Sequence, residues 1–126
     1  MSTHILVLGA GFGGLELASR LSESVPDEAR VTLIDRQEAF IFGYSKLDVM
    51  FGRRDINDVW HPYRTIDKPG LEFRREEIVS IDARDRRVVT EAASYNPDIL
   101  VVALGADYNL AATPGLVEDG CEFYSP

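Results

Sequence analysis

Short apolar runs alternate with glycine-rich turns along the first hundred residues, and the period of the pattern changes from run to run. Residues 4–8, His-Ile-Leu-Val-Leu, form an unbroken apolar run closed by Gly9. Their length and β-branched content predict a strand buried on both faces, as in a parallel sheet. Over residues 14–24 the period lengthens. Leu15, Ala18, Leu21 and Val25 recur every three or four positions, one stripe of a helix, with Glu16, Arg20 and Glu23 largely off it. Pro26-Asp27 ends that helix. Residues 31–35, Val-Thr-Leu-Ile-Asp, repeat the buried-strand pattern. Strand, helix and strand in so short a span predict a βαβ unit with a right-handed crossover.

Beyond residue 35 the pattern is less regular. Residues 39–44 make an aromatic loop, after which Ser45 is placed to cap a short helix through Leu47, Val49 and Met50, ending at Gly52. Residues 56–66 suit a further helix begun or bent by Pro62. After Pro69-Gly70 the period becomes two: strands are predicted at 71–74, 78–82 and 86–91, with a hairpin turn at Ala83-Arg84-Asp85. These make an antiparallel meander over 71–91. Residues 98–104, Asp-Ile-Leu-Val-Val-Ala-Leu, predict a third buried strand ending in Gly105. Residues 106–126 carry two prolines and no long periodic segment, so they are expected to be a linker or a crossing to a further domain, following a domain of residues 1–105.

Composition narrows the function classes. The chain has 126 residues, enough for one domain with its own core, and a net charge of −8. An acidic chain is a poor nucleic-acid ligand, and none is expected as a partner. No apolar run approaches the ~20 residues of a membrane-spanning helix. The N-terminus lacks a secretory pattern, and a single cysteine cannot form an intramolecular disulfide, so a cytoplasmic location is expected.

The chemistry resides in Gly9-Ala10-Gly11-Phe12-Gly13-Gly14. A glycine triplet of this spacing is weak evidence alone. Here it follows a buried strand, opens an amphipathic helix, and precedes an acid, Asp35, 21 positions after Gly14. Each residue type has a physical task. Gly9 permits the turn out of the strand, Gly11 leaves room for a diphosphate against the backbone, and Gly14 lets the helix lie close to the sheet. Amides near Phe12 and Gly13 would face the anion at the positive end of the helix dipole. Asp35 would accept hydrogen bonds from ribose hydroxyls and repel a 2′-phosphate, which disfavours NADP there. The motif itself leaves FAD and NAD open.

The glycine loop with Asp35, the meander, and the segment Asp98-Ile99-Leu100-Val101-Val102-Ala103-Leu104-Gly105 together resemble the FAD/NAD(P)-dependent pyridine nucleotide-disulfide oxidoreductase superfamily, the two-domain flavoproteins of the glutathione-reductase type. The Ala-Leu-Gly ending, the aromatic loop at 40–44 and Ser45-Lys46-Leu47 look most like its sulfide:quinone oxidoreductase and type II NADH dehydrogenase branch. The resemblance implies an α/β, Rossmann-like fold with a central parallel sheet and an antiparallel meander, and FAD as cofactor. It implies that Gly9, Gly11, Phe12, Gly13 and Gly14 contact the diphosphate and that Asp35 holds the ribose with Arg36 beside it. The backbone at Ile78 would meet adenine, and Ala103, Leu104 and Gly105 would pass near the middle of the cofactor. NAD(P) or quinone would be the electron partner.

Two departures matter. Residues 36–60 contain no cysteine, so the Cys-x4-Cys dithiol of the disulfide reductases is absent there, and no second glycine fingerprint follows. The 126 residues are therefore expected to be the N-terminal part of a longer flavin oxidoreductase. That piece alone is expected to be inactive and open to homodimer formation through residues 106–126, with any peripheral membrane contact made by the part beyond. The competing readings are a non-catalytic NAD- or ADP-ribose-binding module and an NAD-dependent reductase. Among other tempting residues, Cys121 sits among Glu118, Asp119 and Glu122, which oppose a thiolate. His4 and His61 have no ligand-spaced partners, so no metal site is expected. Trp60 is assigned to packing, the 40–44 aromatics stay open between packing and a flavin edge, and Arg74-Arg75-Glu76-Glu77 is read as a solvated strand end.

Overall fold

A computed structural model of the chain describes residues 2–121. The polypeptide divides into two compact units, one of the residues up to Phe40 with Pro62–Gly105, the other of Ile41–His61 with the residues from Ala106 on.

The first unit is built on a four-stranded sheet. Its strands are β1 (Thr3–Leu8), β2 (Ala29–Asp35), β5 (Leu71–Arg75) and β9 (Ile99–Val102), in the order β5-β2-β1-β9. Every pairing is parallel, with Val7 opposite Leu33 on one side and Val101 on the other. As the central strand, β1 is covered on both faces, and Leu6, Val7 and Leu8 are fully buried. Burial of this kind contributes roughly 1.5–3 kcal/mol per large aliphatic side chain.

Alternate residues of the strands feed two cores. Ile5, Val7, Val31 and Leu33 pack on one face with Ala18 of helix α1 (Phe12–Ser24) and with Tyr63. The helix buries Gly14, Ala18 and Ser22, small residues four apart that bring its axis close to the sheet. Ser22 Oγ donates to the Pro69 carbonyl at 2.5 Å. Leu6, Leu8 and Ile34 line the opposite face against Val88, with Ile78 and Tyr95 packed beside them. These last residues belong to an antiparallel meander of β6 (Ile78–Asp82), β7 (Arg87–Thr90) and β8 (Ser94–Tyr95).

The α/β fold with its central parallel sheet and separate meander agrees with the sequence pattern, while several details differ. Residues 71–75 are not part of the meander; they pair parallel with β2 as an outer strand of the main sheet. The meander instead gains β8. Residues 98–104 do not form a buried strand. β9 is four residues long and lies at the sheet edge, so Ile99 and Val102 are about half exposed. Helix α1 starts at Phe12, two residues before the 14–24 pattern, because its first two residues, Phe12 and Gly13, are exposed and carry no part of the buried stripe.

In the second unit, helix α2 spans Gly43–Met50. Phe42, not Ser45, occupies the N-cap position; the Ser45 N–H donates to the Phe42 carbonyl at 2.9 Å. No single helix covers 56–66. The chain makes a 3-10 turn at Ile56–Asp58, capped by Asp55, then the two-residue strand β4 (His61–Pro62), and the first unit holds a 3-10 turn at Tyr63–Thr65 and the two-residue strand β3 (Ala39–Phe40). Pro62, extended at ψ 129°, separates the turns. Past Gly105 the second unit holds a 3-10 turn at Leu110–Ala112 and the one-turn helix Leu116–Asp119. Among the described residues no helix is long and apolar enough to cross a membrane.

Candidate nucleotide site

Because β1 is followed by α1 on one side of the sheet and pairs with β9 on the other, its carboxyl end is where the strand order reverses. Open α/β sheets bind ligands at such a point. A cleft of about 510 Å³ lies there, lined by Gly9 at the end of β1, Asp35 and Arg36 at the end of β2, and Leu104 after β9. The meander supplies the remaining wall, including Ile78.

The glycines divide by what the fold asks of them. Gly9 has φ +95°, and a Cβ there would lie 2.3 Å from the Ala103 carbonyl oxygen. At Gly14 a Cβ would lie 1.7 Å from the Gly9 carbonyl oxygen. Both positions are closed to any side chain by neighbouring backbone. Gly11 and Gly13 differ: a Cβ at either would meet nothing within 4 Å. Gly11 has φ −74° and ψ −159°, extended backbone open to any residue.

Amides in the turn are unevenly occupied. The Gly9 N–H donates to the Ile34 carbonyl at 2.8 Å, and the Ala10 N–H to Asp35 Oδ2 at 2.7 Å. Leu15 N–H closes the first helical bond on the Gly11 carbonyl. Gly11, Gly13 and Gly14 N–H groups have no acceptor among the described residues, and α1 has neither a capping side chain nor an acid in its first turn. Among the described residues, these three amides are thus left to solvent or a ligand.

Asp35 is tied into this turn from below. Besides Ala10 it accepts the Gln37 N–H at 2.8 Å through Oδ1. A carboxylate offers about four lone-pair positions, so two remain. Arg36 is exposed, and its carbonyl accepts from Arg75 Nε at 3.2 Å.

Of the residues singled out by sequence, Gly9, Asp35, Arg36, Ile78 and Leu104 come together in the cleft wall. Gly11, Phe12, Gly13, Gly14, Ala103 and Gly105 do not line it. Gly14 lies buried beneath the turn, and Ala103 is held by its N–H to the Leu8 carbonyl. Phe12 is exposed, its ring edge-on to Phe40 at 5.3 Å. Gly105 has φ +75° in open space.

Two features escaped the sequence reading. The 74–77 run is not simply solvated: Glu76 is 8% exposed, and its carboxylate accepts from Thr90 Oγ1 at 2.5 Å and from the Tyr95 hydroxyl at 2.8 Å. Burial, and then this bond, push the Tyr95 phenol up to about 12. Glu76 N–H also reaches the Asp35 carbonyl at 3.1 Å, joining the meander wall to the acid. A run of two arginines and two glutamates looks like a solvated strand end, and only the return of β7 and β8 reveals the burial. Second, the β6–β7 ladder skips Val79, a bulge that leaves this residue 68% exposed in the cleft wall.

A dinucleotide-type cleft on a parallel α/β sheet defines the class, and the comparisons place the chain within it. Residues 3–125 match the model of the pyridine nucleotide-disulphide oxidoreductase family, and the chain belongs to that family. It is similar to type II NADH:quinone oxidoreductases of Staphylococcus epidermidis, 35% identical over 80% of this chain and 26% of that protein. The corresponding protein of Staphylococcus saprophyticus is 31% identical over 89% of this chain and 28% of its own length. Among solved structures, the sulfide:quinone oxidoreductase of Aquifex aeolicus aligns with a TM-score of 0.90 and 28% identity, over 98% of this chain and 29% of that one. An NDH2 structure from Plasmodium falciparum, at 19% identity and TM-score 0.78, shares the fold. The chain spans about a quarter of the length of these curated relatives. The family and these neighbours are FAD-dependent.

Proposed function

We propose that the cleft takes the adenosine diphosphate end of FAD, with the diphosphate on the amides of residues 11–14 and the ribose on Asp35. The observation that carries this reading is Gly11. The fold would admit a Cβ there, and glycine is costly to order, yet the position is glycine, and the Gly11, Gly13 and Gly14 amides have no acceptor among the described residues. A diphosphate approaching the backbone accounts for both facts. The two remaining lone-pair positions of Asp35 suit two ribose hydroxyls, and the bulge at Val79 beside Ile78 offers backbone to the adenine edge. Arg36 lies beside the ribose position, and Ala103, Leu104 and Gly105 lead toward the middle of the cofactor.

Bound FAD would supply reversible two-electron transfer, with the protein providing orientation and electrostatics. By analogy with the named relatives, the longer protein is proposed to carry electrons from a reduced nicotinamide to a quinone. A quinone dissolves in lipid, so that exchange would occur at a membrane surface. The 126 residues alone are proposed to hold the adenosine half of the cofactor without turnover.

Titrating the chain with FAD while following flavin fluorescence tests the site. Binding should be competed by ADP and not by riboflavin, and Gly11→Val should weaken it at least tenfold with the fold intact by circular dichroism. Competition by riboflavin alone would refute the assignment, and preferential binding of NAD would favour a nicotinamide site instead.

A further inference from the structure

We propose that Tyr63 is a positioning residue for the diphosphate, its buried phenol turning the Gly11 amide outward to meet the anion. The proposal rests on the diphosphate reading above. Tyr63 is 4% exposed, and its hydroxyl donates to the Ala10 carbonyl at 2.6 Å across 53 positions of sequence. The Ala10 carbonyl and the Gly11 N–H belong to one planar peptide unit, and it is trans, so the two point in opposite directions. A carbonyl held toward the interior by Tyr63 therefore aims the amide of Gly11 away from it, and that amide has no acceptor among the described residues.

The other side of Ala10 is fixed as well. Its N–H is held by Asp35 Oδ2 at 2.7 Å, so both peptide units flanking its Cα are pinned, one by a phenol and one by a carboxylate. A hydroxyl on the carbonyl also polarises the peptide and strengthens its N–H as a donor. Tyr63 is itself well anchored. Its ring lies against Phe73 with centroids 4.6 Å apart, and its N–H donates to the Glu38 carbonyl at 3.0 Å. Burial, and then the charge of Asp35, raise the phenol's ionisation far above the ordinary range, so it remains a donor.

Tyr63→Phe keeps the ring and removes only the donor. Calorimetric titration of the chain with ADP and with adenosine should show ADP affinity falling roughly tenfold, the scale of one well-aligned hydrogen bond, with adenosine changing less than about twofold. In 15N–1H spectra of the unsubstituted chain the Gly11 amide should move downfield on adding ADP, and this measurement stands even if the variant folds poorly. Equal losses for both ligands, or a Gly11 amide that ignores ADP, would overturn the role of Tyr63. An unsubstituted chain that binds no ADP would instead overturn the diphosphate reading itself.

Discussion

The two walls of the cleft are built on opposite principles. The glycine turn between β1 and α1 is held by what its residues lack: backbone packs on backbone at Gly9 and Gly14, and a methyl group at either would collide. The meander wall is held by what its residues carry, a buried carboxylate shared between two hydroxyls contributed by later strands. The first wall is local and announces itself in six consecutive residues. The second is assembled from positions 76, 90 and 95, each unremarkable where it stands. A site half written in backbone geometry and half in side-chain hydrogen bonds should respond differently to the same kind of substitution.

The most severe response is expected in the turn. Gly14→Ala drives a methyl group into the Gly9 carbonyl and should cost on the order of 3 kcal/mol or more, read as a fall in urea midpoint; a loss under 1 kcal/mol would show that the turn can relax. In the meander wall, Glu76→Ala strands the Tyr95 hydroxyl, leaves Thr90 only its longer bond to the Ala93 carbonyl, and should cost about 1–3 kcal/mol by the same assay. Gly13→Ala, one position before the intolerant glycine, should do the reverse and stabilise the chain by up to about 1 kcal/mol, because it adds helix propensity in open space. The smallest effect lies outside the cleft. Burial first, then Arg30, lower the pKa of His4 from 6.5, against an opposing pull from Asp98. The unfolded chain therefore binds that proton first, and stability should decline as pH falls from 6.5 toward the folded-state value; His4→Gln should flatten the decline in pH-dependent melts.

What the sequence made legible follows the same division. The βαβ unit, its turn and Asp35 were readable because each rests on neighbours in sequence: an apolar run, a glycine spacing, a helical stripe. Alternation at residues 71–74 predicts a strand without naming its partner, and the choice between β2 and the meander is made by tertiary packing. β9 read as buried because its apolar run matched that of β1, while burial depends on having neighbours on both sides. Glu76 and Tyr63 were missed for a further reason. Their partners are 14 and 53 residues distant, and neither charge pattern nor aromatic content marks such a bond beforehand.

The strand order β5-β2-β1-β9 also sets a schedule for synthesis. The inner strand β1 is made before both strands that flank it, and β9 follows only after β2 and β5: Asp98 grips the backbone of His4 across 94 positions. Until that segment is translated, β1 has one flank open, and Gly9 lacks the backbone that will press against it. The cleft is therefore completed only once β9 has been made and has returned to pair with β1.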